Sequence, residues 1–155
     1  MRILVFSDSH GDEAAVLQAV RAQPTAEIVI HLGDGEHDTE EARRSFPDKM
    51  FLQVRGNCDF ASRLSPTEVR LINGVRLFFT HGHLYNAKFG EDALKEAARQ
   101  QNADVVLYGH THRATAYYED GLYVLNPGSV RGSYGSYGIL DITESGIMTN
   151  LISFR

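Results

Sequence analysis

The 155-residue chain contains a single cysteine, Cys58, so no intramolecular disulfide can form and nothing points to an oxidising compartment. Long hydrophobic runs are also missing. The first apolar stretch, Arg2 to Ser7, is too short for a membrane span or for the core of a secretory signal, and a cytoplasmic location is expected. There is no basic excess. A formal net charge of -5 argues against a nonspecific grip on nucleic acid, which needs a cationic face to displace counterions from phosphates, so neither nucleic acid nor membrane is expected as a partner. Low-complexity tracts, internal repeats and linkers are absent too. Hydrophobic content of 43% with charged content of 23% is ordinary for a globular protein, and the length suits one domain spanning residues 1–155.

What is present is a series of apolar strands, each running directly into polar residues. Arg2 to Ser7 reads as a buried strand; Gly11-Asp12 then caps a helix to about Ala22 with Val16, Leu17 and Val20 on one face. Glu27 to Leu32 is a second near-continuous apolar strand of the kind found in parallel sheets covered on both faces. A short helix over Thr39 to Phe46 and a strand from Met50 to Val54 complete a βαβαβ pattern. Thereafter the style changes to hairpins. Asn73-Gly74 joins Thr67–Ile72 to Val75–Thr80, Asp120-Gly121 joins Thr115–Tyr118 to Leu122–Leu125, and Glu144-Ser145-Gly146 joins Tyr137–Ile142 to Ile147–Phe154. Between them lie a helix, Glu91 to Gln101, with Leu94 and Ala98 inward, and a buried strand, Asp104 to Tyr108. An α/β class with two sheets packed as a sandwich and helices outside is expected.

The chemistry gathers where strands end. Leu107-Tyr108 runs into Gly109-His110-Thr111-His112, and two buried imidazoles one residue apart are costly unless something binds both; a metal is the usual partner. Four other stretches repeat the arrangement: Asp8-Ser9-His10, Gly33-Asp34, Gly56-Asn57 and His81-Gly82 each follow an apolar run. In open α/β sheets ligands bind at the carboxyl ends of strands, so Asp8, His10, Asp34, Asn57, His81, His110 and His112 are candidates to converge. Seven oxygen and nitrogen donors without thiolate exceed the four of a structural zinc and suit two harder or borderline ions. One carboxylate must then bridge ions roughly 3.5–4 Å apart. With Asp8 and Asp34 ionised, two divalent cations leave the site at about +2, so an acidic protein can still hold an anion-attracting cleft.

In this order the five motifs resemble the series of the calcineurin-like metallophosphoesterases over residues 1 to about 130, and the short length looks most like the small bacterial and archaeal phosphodiesterases of that superfamily. The resemblance implies a four-layer α-β-β-α fold. It implies that Asp8, His10, Asp34 and His112 hold one ion and Asp34, Asn57, His81 and His110 the other, with Asp34 bridging and with Asp34, Asn57 and His81 as catalytic residues. The implied reaction is attack on phosphorus by a metal-bridging hydroxide, with Mn2+ as the first-choice ion and Fe, Ni2+ or Zn2+ as alternatives. A small phosphodiester is the expected substrate. A phosphomonoesterase or nucleotide pyrophosphatase on the same site is a rival, as is a metal-binding interaction scaffold with little turnover, since a retromer subunit with this fold serves chiefly as a platform. A homo-oligomer is possible.

Several neighbours have plainer readings. His31 lies inside a strand and reads as a core histidine; His37 and His83, near the cleft in sequence, read as solvated loop residues first and as supports behind the ligands second. Arg55, Arg113 and Arg131 neighbour the motifs, where they either clamp a phosphate or form surface ion pairs. Asn126-Pro127-Gly128-Ser129 is a turn by composition, and the resemblance places it, with Ser129, on the cleft. The stretch Gly132 to Gly138, with Tyr134 and Tyr137, reads as a mobile rim or a subunit contact. One departure matters: many members of the superfamily carry a histidine after the Gly-Asn motif as a leaving-group acid, whereas this chain has Cys58 followed by Asp59. The plainer reading is a small thiol that packs in the interior; either way the usual acid is absent.

Overall fold

The computed structural model describes residues 1–154. Ten strands form two five-stranded sheets. In the first, β1 (Arg2–Phe6), β2 (Ile28–His31) and β3 (Met50–Gln53) run parallel, with α1 (Glu13–Ala22) and α2 (Glu40–Ser45) as crossovers; β9 (Ser136–Thr143) and β10 (Gly146–Ser153) extend the far edge of β1 antiparallel. The second sheet has the order β4 (Thr67–Ile72), β5 (Val75–Thr80), β6 (Val105–Leu107), β8 (Leu122–Asn126) and β7 (Thr115–Glu119). Its centre, β5-β6-β8, is parallel, with α3 (Asp92–Gln100) crossing between β5 and β6. The hairpin style of the late sequence therefore hides a parallel core, because two of the three hairpins contribute only one inner strand each.

Alternation along the strands builds the layers. On β1, Ile3 and Val5 face the second sheet and pack with Ile30, Leu77, Phe79, Leu107 and Leu125, whereas Leu4 and Phe6 face α1 and its buried Val16, Ala19 and Val20. The outer side of the second sheet packs Phe78, Val106 and Val124 against Leu94 and Ala98 of α3. The result is helix, sheet, sheet, helix. Asp12 caps α1 by accepting from the Ala15 amide at 3.0 Å, worth about 1 kcal/mol. Asn73 and Gly74 sit at φ 49° and 79°, the positive pair that a two-residue hairpin turn demands. Tyr137, expected on the Gly-rich rim, is instead buried in β9 against Phe154, because strand alternation turns it toward the α1 layer. Among the described residues no helix is long and apolar enough to cross a membrane.

Candidate metal centre

Both parallel cores point their carboxyl ends to one edge of the sandwich, and the loops leaving β1, β2, β5 and β6 meet there. Three groups of donor atoms result among the described residues: Asp8, His10 and His112; Asp34, His81 and His110; and, joining the two, His10, Asp34 and Cys58. Within the first, His112 Nε2 lies 3.1 Å from Asp8 Oδ1 and 3.4 Å from His10 Nε2. Within the second, His81 Nε2 lies 3.3 Å from Asp34 Oδ2 and 3.2 Å from His110 Nδ1. Asp34 Oδ2 is also 3.8 Å from His10 Nε2, so this carboxylate lies between the groups. Asn57 is exposed in the adjoining turn, its amide 3.5 Å from the Cys58 sulfur.

The backbone beneath these side chains is unusual. Asp8, His10, Asp34, His110 and His112 all have positive φ, from 43° to 69°, a region uncommon outside glycine and costly unless the surroundings impose it. The surroundings are polar and buried. Ser7 Oγ donates to Asp8 Oδ2, which also accepts the His110 amide at 3.0 Å. Asn126, wholly buried, donates to Gly109 O and Thr111 Oγ1 and accepts the Gly128 amide, which pins the loop carrying His110 and His112. Asp59 accepts four backbone amides, from Asp34, Gly35, Glu36 and Gly56, at 2.7–3.1 Å. A methyl on Gly56 would meet the Asp34 amide nitrogen at 2.6 Å, so only glycine allows this approach.

Charge follows from these contacts. Burial alone would raise the Asp34 carboxyl, but His81 and the Cys58 amide outweigh it and hold it far below the carboxylate range. Burial likewise opposes the four amides on Asp59, which prevail and lower it. For His81 burial disfavours the cation, yet the hydrogen bond to Asp34 and the nearby carboxylates raise it. His81 Nδ1 donates to Leu32 O at 2.7 Å, so a neutral ring presents the Nε2 lone pair to the Asp34 carboxylate. Two acceptors at 3.3 Å repel unless a proton or a cation lies between them. The donor set therefore fits divalent metal, with the second nitrogen of His81 fixed by a carbonyl as metal-ligating histidines require.

His31 is a core histidine, as its place in a strand implies. Its Nδ1 accepts the Gly33 amide at 3.0 Å, Nε2–H meets Ser9 Oγ at 2.9 Å, and Ser9 donates onward to Asp38, so the ring ties together the loops bearing Asp8, His10 and Asp34. His37 is solvated and pairs with Glu40. His83 departs from the solvated reading: its ring lies 5.4 Å from that of His81 and its Nδ1 is buried without a hydrogen-bond partner among the described residues, because the 310 turn after Gly82 folds it back over the histidines. Cys58 does not pack in the interior. It is exposed, its sulfur within 4.8 Å of donor atoms of His10 and Asp34, and burial and Asp34 raise its pKa. Ser129 donates to Asp8 O at 2.8 Å. Arg55, Arg113 and Arg131 make no ion pair with a described residue. Sequence reasoning missed the supporting roles of Ser7, Ser9 and Asp38 and the four-amide role of Asp59, and it placed Asn126 at the cleft only as part of a turn; a serine next to each of the first motif's ligands was the one signal.

The family model for the calcineurin-like phosphoesterase superfamily domain matches residues 1–145. The chain is 33% identical over 132 residues to the probable metallophosphoesterase YsnB of Bacillus subtilis, covering 84% of this chain and 76% of that one. It is 33% identical over 168 residues to the phosphodiesterase YfcE of Escherichia coli K12, covering 91% and 88%. A crystal structure of a predicted phosphoesterase from Streptococcus pneumoniae superimposes with a TM-score of 0.83 at 30% identity, covering 99% of this chain and 89% of that chain.

Proposed function

The chain belongs to the calcineurin-like phosphoesterase superfamily, and from that premise we propose that it is a binuclear, metal-dependent phosphodiesterase acting as one cytoplasmic domain on small phosphodiesters, with Mn2+ as its first-choice ion. Asp8, His10, Asp34 and His112 would hold one ion and Asp34, Asn57, His81 and His110 the other. The observation that carries the reading is the place of Asp34, 3.3 Å from His81 and 3.8 Å from His10, within reach of donors from both groups. When bound, two divalent cations activate water near neutral pH and offset charge on phosphoryl oxygens.

The chain's own residues set the stage for that chemistry. Leu32 O fixes the His81 tautomer, the Cys58 amide orients Asp34, and Asn57 adds a donor without charge, which keeps the site cationic. Arg113 and Arg131, which pair with no carboxylate among the described residues, are available to an anionic substrate. Ser129 supports the site from below through the Asp8 carbonyl. Elemental analysis of purified protein saturated with Mn2+ tests the reading: two ions per chain are expected, with Mn2+-dependent release of p-nitrophenolate from bis(p-nitrophenyl) phosphate and loss of at least one ion in Asp34→Asn. One ion or none at saturation defeats the binuclear reading. Two ions without turnover of any phosphate ester favours the scaffold, and faster turnover of monoesters or pyrophosphates favours those rivals.

A further inference from the structure

Next to the metal centre lies a cavity of about 500 Å3, within the size range of small-molecule sites. The loop between β5 and α3 supplies Lys88 and Glu91 to its walls, and the loop after β6 supplies Tyr108, Thr111 and Arg113. Thr111 stands between His110 and His112, so the cavity and the candidate ligands share a wall.

The charges in this cavity are unevenly satisfied. Glu91 accepts the Tyr117 hydroxyl at 3.2 Å and pairs with neither cation of the cavity. Lys88 and Arg113 are both exposed, and neither side chain makes a hydrogen bond or ion pair with a described residue. Two uncommitted cations from separate loops on one cavity repel each other, and an anion between them removes that cost. An arginine also offers paired donors matched to a phosphate.

We propose that this cavity takes a second phosphoryl group carried by the substrate, so that the protein selects phosphodiesters in which one alcohol bears a further phosphate. The inference rests on the phosphodiesterase reading above and names a substrate class for it. Lys88 and Arg113 grip the remote phosphate, while the reacting phosphate lies over the histidines and carboxylates next to Thr111.

Two substrates with one leaving group isolate the effect: thymidine 5′-(p-nitrophenyl phosphate) and its 3′-phosphorylated counterpart both release p-nitrophenolate. With the Mn2+-loaded full chain, the 3′-phosphorylated substrate should show about tenfold higher kcat/KM, the worth of two exposed charge pairs. The gain should fall mainly in KM and fade as salt rises. Lys88→Ala, Lys88→Gln and Arg113→Ala should each cut the preference to about threefold. Because both side chains are exposed, the variants should keep the natural protein's melting temperature. Equal kcat/KM for the two substrates, or a preference that survives all three substitutions, overturns the subsite and leaves the phosphodiesterase reading standing. Turnover of neither substrate overturns that reading and the subsite with it.

Discussion

Asp59→Asn probes the support of the metal centre without touching a candidate ligand. The natural carboxylate accepts the Asp34 and Gly56 amides on Oδ2 and the Gly35 and Glu36 amides on Oδ1. Asparagine keeps the shape but offers one oxygen, and its NH2 group then faces two amide donors. At about 1.5 kcal/mol for each lost bond to a charged acceptor, the cost is about 3 kcal/mol, or a fall in Tm of about 6–12 °C for a chain of this size. The cost should depend on pH. Although burial opposes it, the four amides hold the Asp59 carboxyl below its ordinary value, so its stabilisation is fully present above the unfolded-state pKa of about 4 and is lost as pH falls through the lower folded value. Urea unfolding of metal-free natural and variant proteins should therefore give a gap that is constant near neutrality and narrows below about pH 4. Calorimetric titration with Mn2+ should show weakened binding in the variant, because the Asp34 turn loses its anchor. A gap under about 0.5 kcal/mol at pH 7 would refute the reasoning and return Asp59 to the surface. The same contacts exclude Asp59 as a source of the proton that the missing histidine would supply, since a carboxylate holding four amides has no proton to give near neutral pH.

Burial pushes the His31 pKa down to about 4 against the opposing pull of Asp59, Asp8 and Asp38; the unfolded chain, at about 6.5, takes up a proton first, so this contribution is complete above pH 6.5 and about 3 kcal/mol is lost on acidification toward pH 4. Unfolding free energies measured across that range should lose most of this slope in His31→Gln, and an unchanged slope would assign it elsewhere. For Cys58, whose thiol is held protonated yet is a weak acid, the natural protein should cleave aryl diesters far better than alkyl ones, and Cys58→His should accelerate alkyl esters by about 10²-fold or more while leaving aryl esters nearly unchanged at equal metal content. A shallow dependence on leaving-group pKa in the natural protein would show that another residue already supplies the proton.

Local signals carried most of the elements. Asn73-Gly74 and Asp120-Gly121 fix their hairpins by backbone preference alone, and the apolar runs of β1, β2 and β6 have no exposed face to disguise. Pairing across the chain had no such signal. Nothing near Tyr137 says that β9 will lie beside β1, with Leu140 opposite Ile3, or that β8 will run parallel to β6. The site divides the same way. Its candidate ligands were legible because an Asp or His after a buried strand needs a reason to be there, whereas Ser7 read as the end of a strand and Asn126 as part of a turn, and nothing marked the role of Asp59, whose partners lie mostly in a loop distant in sequence.

That division has an energetic basis. Five of the candidate ligands adopt positive φ, at a cost of about 1 kcal/mol or more each, against a total stability of about 5–15 kcal/mol for a protein of ordinary size. Such strain persists only where neighbouring contacts leave no cheaper conformation. Here the Asp59 amide cradle holds Asp34, the Asn126 side chain holds the loop of His110 and His112, and the His31-Ser9-Asp38 relay holds the segment of Asp8 and His10. Each strained stretch thus has its own polar anchor, buried for Asn126 and His31 and half-buried for Asp59. The anchors act through protein groups alone, so each strained loop has support that does not depend on contact with a cation.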